Sequence, residues 1–209
     1  KAGFVTLALE TKEEFVLRYG VKSDYRKANS AGDYERVLPH VRKHMEELAR
    51  HYHALAQKTK SSAGYQQAAR WYRLFLSSFP GDAQTPLMNF LLAEMLFEDK
   101  RFGAAADEYE RTAYGYPRHA KSAEAAYAAL LAHTRQEQGL QGSALNTVQQ
   151  RAIDSSLRFA AAHPADARTA GVLTNTAEKL YALHDYERAV TVAQHVLEIG
   201  PSLPAELRR

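Results

Sequence analysis

A ladder of four prolines, each closing a helix-forming stretch, is the feature that most constrains this chain. Pro80, Pro117, Pro164 and Pro201 are separated by 37, 47 and 37 residues. An alanine lies twelve residues before each proline, with aromatic residues at most of the positions three before and four after it. These spacings lie on one helix face, where a small residue lets a neighbouring helix approach closely. Because proline cannot continue a helix, the pattern predicts repeated helical units in place of one central core.

A second helical pattern precedes each of these stretches, at residues 38–55, 87–97, 121–134 and 173–180. A unit of helix, short turn, helix and proline cannot bury its own apolar face, so neighbouring units must stack on it. The sequence therefore predicts an all-α array of about four helix pairs. The array extends over residues 36–201, and its units end near the four prolines.

The most regular unit reads Leu92-Ala93-x-x-Leu96-x(5)-Phe102-x-x-Ala105-x-x-x-Tyr109-x(7)-Pro117. Residues 65–80 and 177–201 repeat parts of it. This pattern resembles the tetratricopeptide repeat (TPR) family, whose usual unit is about 34 residues long. The resemblance implies a right-handed superhelical solenoid of antiparallel helix pairs. It also implies a non-catalytic scaffold that binds a protein or peptide partner in a concave groove.

The longer step of this chain points to one part of that family. The phrases Phe75-Leu-Ser-Ser-Phe-Pro80 and Tyr114-Gly-Tyr-Pro117 are similar to a bacterial envelope subgroup. That subgroup includes the outer-membrane assembly lipoprotein and the periplasmic coordinator of the Tol system. The resemblance implies a piece of a larger envelope protein that is periplasmic or associated with the outer membrane, and a cytoplasmic location stays open.

Composition narrows the classes of function. The chain of 209 residues is 45% hydrophobic and 24% charged, as expected for a folded globular protein. Its net charge of +3 comes without a long Lys/Arg run, so nucleic-acid binding is not favoured. No stretch approaches the roughly 20 apolar residues of a membrane span. The absence of cysteine excludes disulfides, thiol catalysis and cysteine-ligated metals.

Residues 1–35 do not follow the ladder and are predicted to form an N-terminal segment with one short helix. Thr11-Lys-Glu-Glu14 has the form of a capping box, and Gly20 suits the C-terminal cap of that helix. Residues 3–9 are apolar and fit either a strand or the end of a preceding helix. Residues 22–33 are polar and are predicted to form a loop.

Two further segments depart from the regular units. Residues 202–209 are predicted to be the start of another unit, which together with the first residue Lys1 suggests a fragment of a longer protein. Self-association through the open ends of the array is therefore a further prediction about partners. The third unit is ten residues longer than its neighbours, with the excess in 135–145. That segment is predicted to be an irregular turn or an extended helix end, either a tolerated loop or a contact at a binding edge.

The alternative function is a metal-binding or enzymatic module on the first long helix. Histidines spaced by four residues on a helix can bind zinc, with a carboxylate as a further ligand. Steps of four, three and four place the candidate ligands on one ridge beside the buried stripe, with Lys43 and Arg50 opposing a cation. The candidate ligands are His40, His44, Glu47 and His51.

The groove residues follow from helical offset against the small contacts Ala56, Ala93 and Ala177. The first helix of each pair is expected to line the concave side. The predicted groove residues are Arg50, His53, Gln57, Phe90, Glu94, Phe97, Tyr127, Thr174, Glu178 and Tyr181. The assignment of Tyr127 to the groove depends on the helix register of the third unit, which can shift by one position. Aromatic side chains in this set either contact a partner or fill gaps between units.

The same positions argue against one use of the family and favour another. A clamp for a terminal carboxylate needs lysine, asparagine and arginine, whereas this chain has His53, Gln57, Phe90 and Glu94 at the matching places. An apolar or partly basic peptide suits such a lining better.

Signatures of catalysis are absent from the sequence. The segment Gly139-Leu-Gln-Gly142 lacks the lysine of a phosphate-binding loop, and no Gly-x-Ser-x-Gly elbow occurs. Glu108 and Glu110 are predicted to lie on solvated helix faces. The prediction is a protein that is not an enzyme and needs no cofactor.

Overall fold

The computed structural model describes residues 2–199, and in that range the secondary structure is helical throughout. Proline and polar turns separate helices whose apolar residues recur at spacings of three and four. The helices are α1 (Ala2–Tyr19), α2 (Asp24–Ala28), α3 (Ala31–Thr59), α4 (Ser62–Ser78), α5 (Thr85–Glu98), α6 (Phe102–Tyr114), α7 (Ser122–Glu137), α8 (Gly142–Ala162), α9 (Thr169–Ala182) and α10 (Tyr186–Ile199). Pro80, Pro117 and Pro164 lie in the loops after α4, α6 and α8, as the ladder predicts. Pro201 and residues 202–209 lie outside the described range.

The chain divides into two compact units, the first ending at Glu108 and the second beginning at Tyr109. In the first unit α1 packs on α3, α3 on α4, and α4 on α5. In the second unit α7 packs on α8, α8 on α9, and α9 on α10. The packing of α3 on α4, α7 on α8 and α9 on α10 confirms three of the predicted helix pairs.

Both small and large side chains fill the buried interior. Ala56, Ala68 and Ala93 are fully buried in the first unit, as are Tyr72 and Phe75. Alanine lets two helix backbones approach, and the aromatic rings fill the wider spaces on either side. The second unit follows the same rule, with a buried cluster of Ile153, Ala160, Leu173, Leu180, Ala189 and Val192.

The turn after each described proline repeats in sequence and in hydrogen bonding. Residues 79–85 and 163–169 share the pattern aromatic-Pro-x-Asp-Ala-x-Thr. Thr85 Oγ1 donates to the Phe79 carbonyl at 2.6 Å, and Thr169 Oγ1 donates to the His163 carbonyl at 2.7 Å. These bonds satisfy carbonyls that the preceding helix leaves without an intrahelical donor.

A carboxylate completes both turns. Asp82 Oδ1 accepts from Gln84 N at 2.8 Å, and Asp166 Oδ1 accepts from Arg168 N at 3.0 Å. At residues 116–122 the same place is taken by His119, whose Nδ1 lies 3.2 Å from Lys121 N. The repeating element is thus a seven-residue turn around each proline.

We expect the Thr169→Val substitution to lower the free energy of unfolding by about 0.5–1.5 kcal/mol, because it removes one of the two donors to the His163 carbonyl and leaves only Asp166 N. Urea unfolding followed by circular dichroism measures this change. Thr174→Val is the matched control, since that exposed hydroxyl bonds only to the Ala170 carbonyl within its own helix. Equal losses for the two variants would show that the turn bond contributes nothing.

A second turn, inside the helix pairs, also repeats at a distance of 84 residues. Lys100 and His184 have φ values of 60° and 62°. Arg101 N donates to the Leu96 carbonyl at 2.9 Å, and Asp185 N to the Leu180 carbonyl at 3.0 Å, as in the Schellman motif. Because neither turn uses glycine at the left-handed position, the sequence gives little warning of it.

The N-terminal segment differs from its prediction. Helix α1 begins at Ala2, so residues 3–9 are neither a strand nor a separate helix. Thr11 lies inside α1, where its Oγ1 donates to the Leu7 carbonyl at 2.8 Å, so it is not the N-cap. The segment therefore holds more than one short helix. Gly20 follows the last residue of α1, as predicted.

The predicted loop at 22–33 is also partly helical. It contains α2 and the first turn of α3. Ser30 is the N-cap of α3: its Oγ accepts from Asp33 N at 3.2 Å and donates to Asp33 Oδ2 at 2.7 Å. The pattern Ser-x-x-Asp is a helix-start signal, and it could have placed this boundary from the sequence.

The ten extra residues in the third step of the ladder lie mainly in longer helices. Helices α7 and α8 contain 16 and 21 residues, against 14 and 13 in α5 and α6. Only residues 138–141 separate α7 from α8. Of the two predicted forms for 135–145, the extended helix end is the one that occurs.

Candidate functional site

The second unit contains a cleft bounded by α7, α8 and α9. Its volume is about 300 Å³, at the lower end of the range of ligand pockets. Each helix presents one face to it, because the lining positions recur at intervals of three and four residues. The lining residues are Tyr127, Leu130, Leu131, Thr134, Ala152, Ile153, Ser156, Arg168, Gly171, Val172, Asn175, Thr176 and Lys179.

The two cations at the cleft are already paired with carboxylates. Arg168 donates from Nε to Asp166 Oδ1 at 2.8 Å and from Nη2 to Oδ2 at 2.6 Å. This pair lowers the pKa of Asp166 to about 2. Lys179 Nζ lies 2.6 Å from Glu137 Oε1. The cleft therefore has little net charge to offer an anionic ligand.

Arg168 also stacks on the aromatic wall. Its guanidinium carbon lies 4.5 Å from the centroid of the Tyr127 ring and 5.6 Å from that of Phe159. The Tyr127 and Phe159 centroids are 6.0 Å apart. Cation–π contact adds to the ion pair in holding the guanidinium in place at this end of the cleft.

Most hydroxyl groups of the cleft donate to carbonyls of their own helices. Thr134 Oγ1 bonds to Leu130 O at 3.0 Å, and Thr176 Oγ1 to Val172 O at 2.7 Å. Asn175 is exposed on α9, and its side-chain amide has no hydrogen-bond partner among residues 7–199. An amide offers both donor and acceptor atoms, which can pair with the N–H and C=O groups of an extended peptide.

Gly171 keeps one wall of the cleft open. A Cβ at this position would meet no heavy atom within 4 Å. Glycine inside a helix costs about 0.5–1 kcal/mol relative to alanine, and the backbone here is not in a region that requires it. A larger side chain at 171 would therefore occupy cleft space without an initial clash.

Of the predicted groove residues in the second unit, only Tyr127 lines this cleft. Thr174, Glu178 and Tyr181 are exposed on another face of α9, and Tyr181 is 66% accessible. The cleft face of α9 runs through 171, 172, 175, 176 and 179. A shift of one position rotates a helical residue by about 100°, so an offset error of one residue moves a side chain off the wall.

The predicted groove residues of the first unit mostly contact their own neighbours. His53 and Phe90 are 8% and 5% exposed, so they are packing residues with little surface for a partner. His53 Nδ1 lies 2.9 Å from the Tyr72 hydroxyl, and burial lowers the pKa of His53. The Phe97 ring packs on Phe102 at 5.2 Å, and Glu94 is partly buried.

Arg50 and Gln57 are exposed, but both make polar contacts within the first unit. Arg50 Nε donates to Glu46 Oε1 at 3.2 Å, and Gln57 Nε2 donates to Glu98 Oε1 at 2.7 Å. Tyr65 also donates to Glu98. These contacts link α3, α4 and α5.

The histidine ridge does not form a metal site. Glu47 bonds to Lys12 at 2.8 Å and lies 3.3 Å from His44 Nδ1, and the lysine lowers the pKa of this carboxyl. His51 packs against Tyr52, while His40 is exposed. Among residues 7–199, no group of three or more histidines and carboxylates is arranged to hold a metal ion.

The prediction of solvated faces at Glu108 and Glu110 is wrong. Asn89 Nδ2 donates to the Glu108 carbonyl at 2.8 Å and to its Oε2 at 3.1 Å. Glu110 Oε1 lies 3.6 Å from Nε2 of the fully buried His133. Neither partner is close in sequence, so helix periodicity alone could not have found it.

Leu130, Val172 and Asn175 are cleft residues that the sequence reasoning missed. The repeating turn at 79–85, 116–122 and 163–169 supplies a signal for them, because it aligns the starts of α5, α7 and α9 without sliding. Alignment on the prolines alone leaves the register of each helix free to shift by one residue.

A comparison with protein-family models and another with curated proteins gave no match. No helix within residues 2–199 combines the length and apolar character needed to cross a membrane.

Proposed function

We propose that this chain is a non-catalytic scaffold that binds a protein or peptide, with the cleft of α7, α8 and α9 as a contact site. The observation that supports this most directly is Asn175, an exposed amide without a described partner beside the apolar Leu131 and Val172. An extended peptide needs such a combination, since its backbone requires polar partners and its side chains require apolar ones.

The chemistry of the cleft defines the ligand further. Both cations are paired, so a ligand anchored by a carboxylate or phosphate gains little there. The volume of about 300 Å³ suits one or two side chains of a peptide better than a large cofactor. We therefore propose an uncharged peptide segment with an aliphatic or aromatic anchor.

The array that presents this cleft is proposed to be a right-handed solenoid of TPR-like pairs. Support comes from the recurrence of both turns, around the prolines and inside the helix pairs, at a distance of 84 residues. Repeated helix pairs of this kind stack on their neighbours in solenoid proteins. Placement in the bacterial envelope remains a proposal that rests on the phrases at 75–80 and 114–117.

Selection from a random twelve-residue phage library on the full chain supplies probes for the test. We expect Gly171→Leu, which fills the cleft, and Asn175→Ala, which removes the amide, each to weaken the selected peptides at least tenfold in fluorescence anisotropy. Thr174→Ala is the matched control on another face of α9 and should change affinity less than twofold. Selected peptides that bind Gly171→Leu as tightly as the unmodified chain would refute the cleft as their site.

A further inference from the structure

The outer face of α10 presents an apolar stripe to solvent. The stripe consists of Tyr186, Val190, Ala193 and Leu197, whose spacings of four, three and four place them on one helix face. Val190 is 57% exposed and Leu197 is 76% exposed. The inner face of α10, by contrast, lies in the buried cluster of the second unit. This α10 stripe is therefore an uncovered surface of the last described helix.

Earlier helices of the chain bury the same register positions. In α8, Ile153 lies 37 residues before Val190, and Ala160 lies 37 residues before Leu197. These two residues are 1% and 3% exposed. Helix α9, which follows the Pro164 turn, packs on α8. In α4, Ala69 is at the equivalent of Val190 and is 1% exposed, and α5 packs on that helix. The α10 stripe is thus the type of surface that this chain elsewhere covers with a helix.

Acidic side chains border the α10 stripe. Glu187 and Glu198 are exposed next to its ends, and Glu178 is exposed on α9 three residues before Tyr181, whose ring centroid lies 5.2 Å from that of Tyr186. None of the three carboxylates pairs with a cation in residues 7–199. Charge complementarity across an interface selects the opposite sign, so the covering element should bear lysine or arginine on its flanks.

We propose that the α10 stripe docks an amphipathic helix of a partner protein, with apolar side chains at spacings of three and four and basic residues on its flanks. The partner helix packs on α10 as α9 packs on α8. The interaction surface is separate from the cleft, because its stripe residues do not line that cleft.

The charge around the stripe favours a separate partner over a second copy of this chain. The stripe from 186 to 197 is about 16 Å long. A second copy placed stripe to stripe would bring Glu187 and Glu198 against the same acidic residues, which costs affinity.

The test uses a synthetic 18-residue amphipathic helix of leucine, alanine and lysine, with a twin in which glutamate replaces lysine. We expect the lysine peptide to bind the full chain in calorimetry, and the glutamate twin to bind at least tenfold more weakly. The double variant Val190→Ser/Leu197→Ser should also lose at least tenfold. The matched control is Leu55→Ser, at a leucine 42% exposed on α3, which should change affinity less than twofold. Equal binding to the double variant and the unmodified chain would overturn the proposal.

Gly171→Leu separates this proposal from the cleft, since it should leave binding of the lysine peptide unchanged. Because the chain has no cysteine, introduced thiols can test the other occupants of the stripe by disulfide formation.

If Val190→Cys forms disulfide-linked dimers with diamide faster than Leu55→Cys does, the stripe binds a second copy of the chain. If the double variant Val190→Cys/Leu203→Cys stays monomeric and loses both free thiols, an intramolecular disulfide has formed, and the stripe is covered by residues 201–209. Either result contradicts a separate partner.

Discussion

Replacing Phe159 with alanine is expected to lower the free energy of unfolding by about 3–5 kcal/mol, the usual cost of deleting a fully buried phenylalanine. Phe159 is 0% exposed and packs on Tyr127 and His163, with ring centroids 6.0 and 5.4 Å away. Its own carbonyl accepts from His163 N at 2.9 Å where α8 ends. The substitution thus removes a ring that supports both the cleft wall and the proline turn.

Urea unfolding followed by circular dichroism measures the loss, with Tyr181→Ala as the control. Tyr181 lies in the same unit but is 66% exposed, so its truncation should cost no more than about 0.5 kcal/mol. The fluorescence of Trp71, the one tryptophan of the chain, reports the first unit separately. Similar losses for Phe159→Ala and Tyr181→Ala would contradict the buried packing of Phe159.

Replacing His133 with alanine is expected to lower the free energy of unfolding by about 2–3 kcal/mol. The substitution leaves a cavity and deprives the half-buried carboxylate of Glu110 of its histidine partner. His133 is fully buried, and its Nε2 lies 3.6 Å from Glu110 Oε1. The guanidinium of Arg158, whose carbon is 3.8 Å from the centroid of the Tyr114 ring, adds positive charge nearby. Burial raises the pKa of Tyr114 to about 12, so that phenol stays neutral.

This cluster also predicts a dependence of stability on pH. The His133 side chain, whose Nε2 lies 3.6 Å from Oε1, lowers the pKa of Glu110 below its usual 4.5, with Ser155 adding to the effect. A carboxyl with a lowered folded pKa contributes its full stability above the unfolded value and loses it as the pH falls through the folded one. Stability from Glu110 should therefore be intact at pH 6 and decline below about pH 4.5.

Glu110→Gln tests the pH dependence. We expect the variant to be less stable than the unmodified chain at pH 6 and the difference to shrink at pH 3, as measured by urea unfolding. Glu178→Gln is the control, since that carboxylate is exposed and has no described partner, and it should change the free energy of unfolding by no more than about 0.5 kcal/mol. A constant difference for Glu110→Gln would mean that its pKa is not lowered on folding.

Local sequence signals predicted most of the repeating helices. The pattern at 87–97 lies inside α5, and that at 121–134 lies almost entirely inside α7. These predictions succeed because apolar periodicity and proline act over fewer than about 15 residues. The N-terminal segment differs from its prediction, because Thr11 has the sequence pattern of an N-cap but lies inside a helix that continues through it.

The candidate site was only partly predictable. Tyr127 lines the cleft wall, whereas Thr174 and Glu178 lie one position away from the cleft residues Asn175 and Lys179. A helix face is defined by its neighbours, and one residue of register turns a side chain by about 100°. Sequence periodicity therefore locates the helix, and the packing of α8 and α9 selects the face.

The sequence by itself determined an all-helical chain of paired helices, because proline, small residues and apolar spacing act through the local backbone. Its proline ladder also placed three of the turns that separate the pairs. Tertiary structure alone decided which polar residues are buried together, such as Glu110 with His133, and which apolar residues stay uncovered, such as Val190 and Leu197. Those outcomes depend on contacts between residues far apart in the chain, where solvent exclusion outweighs local preference.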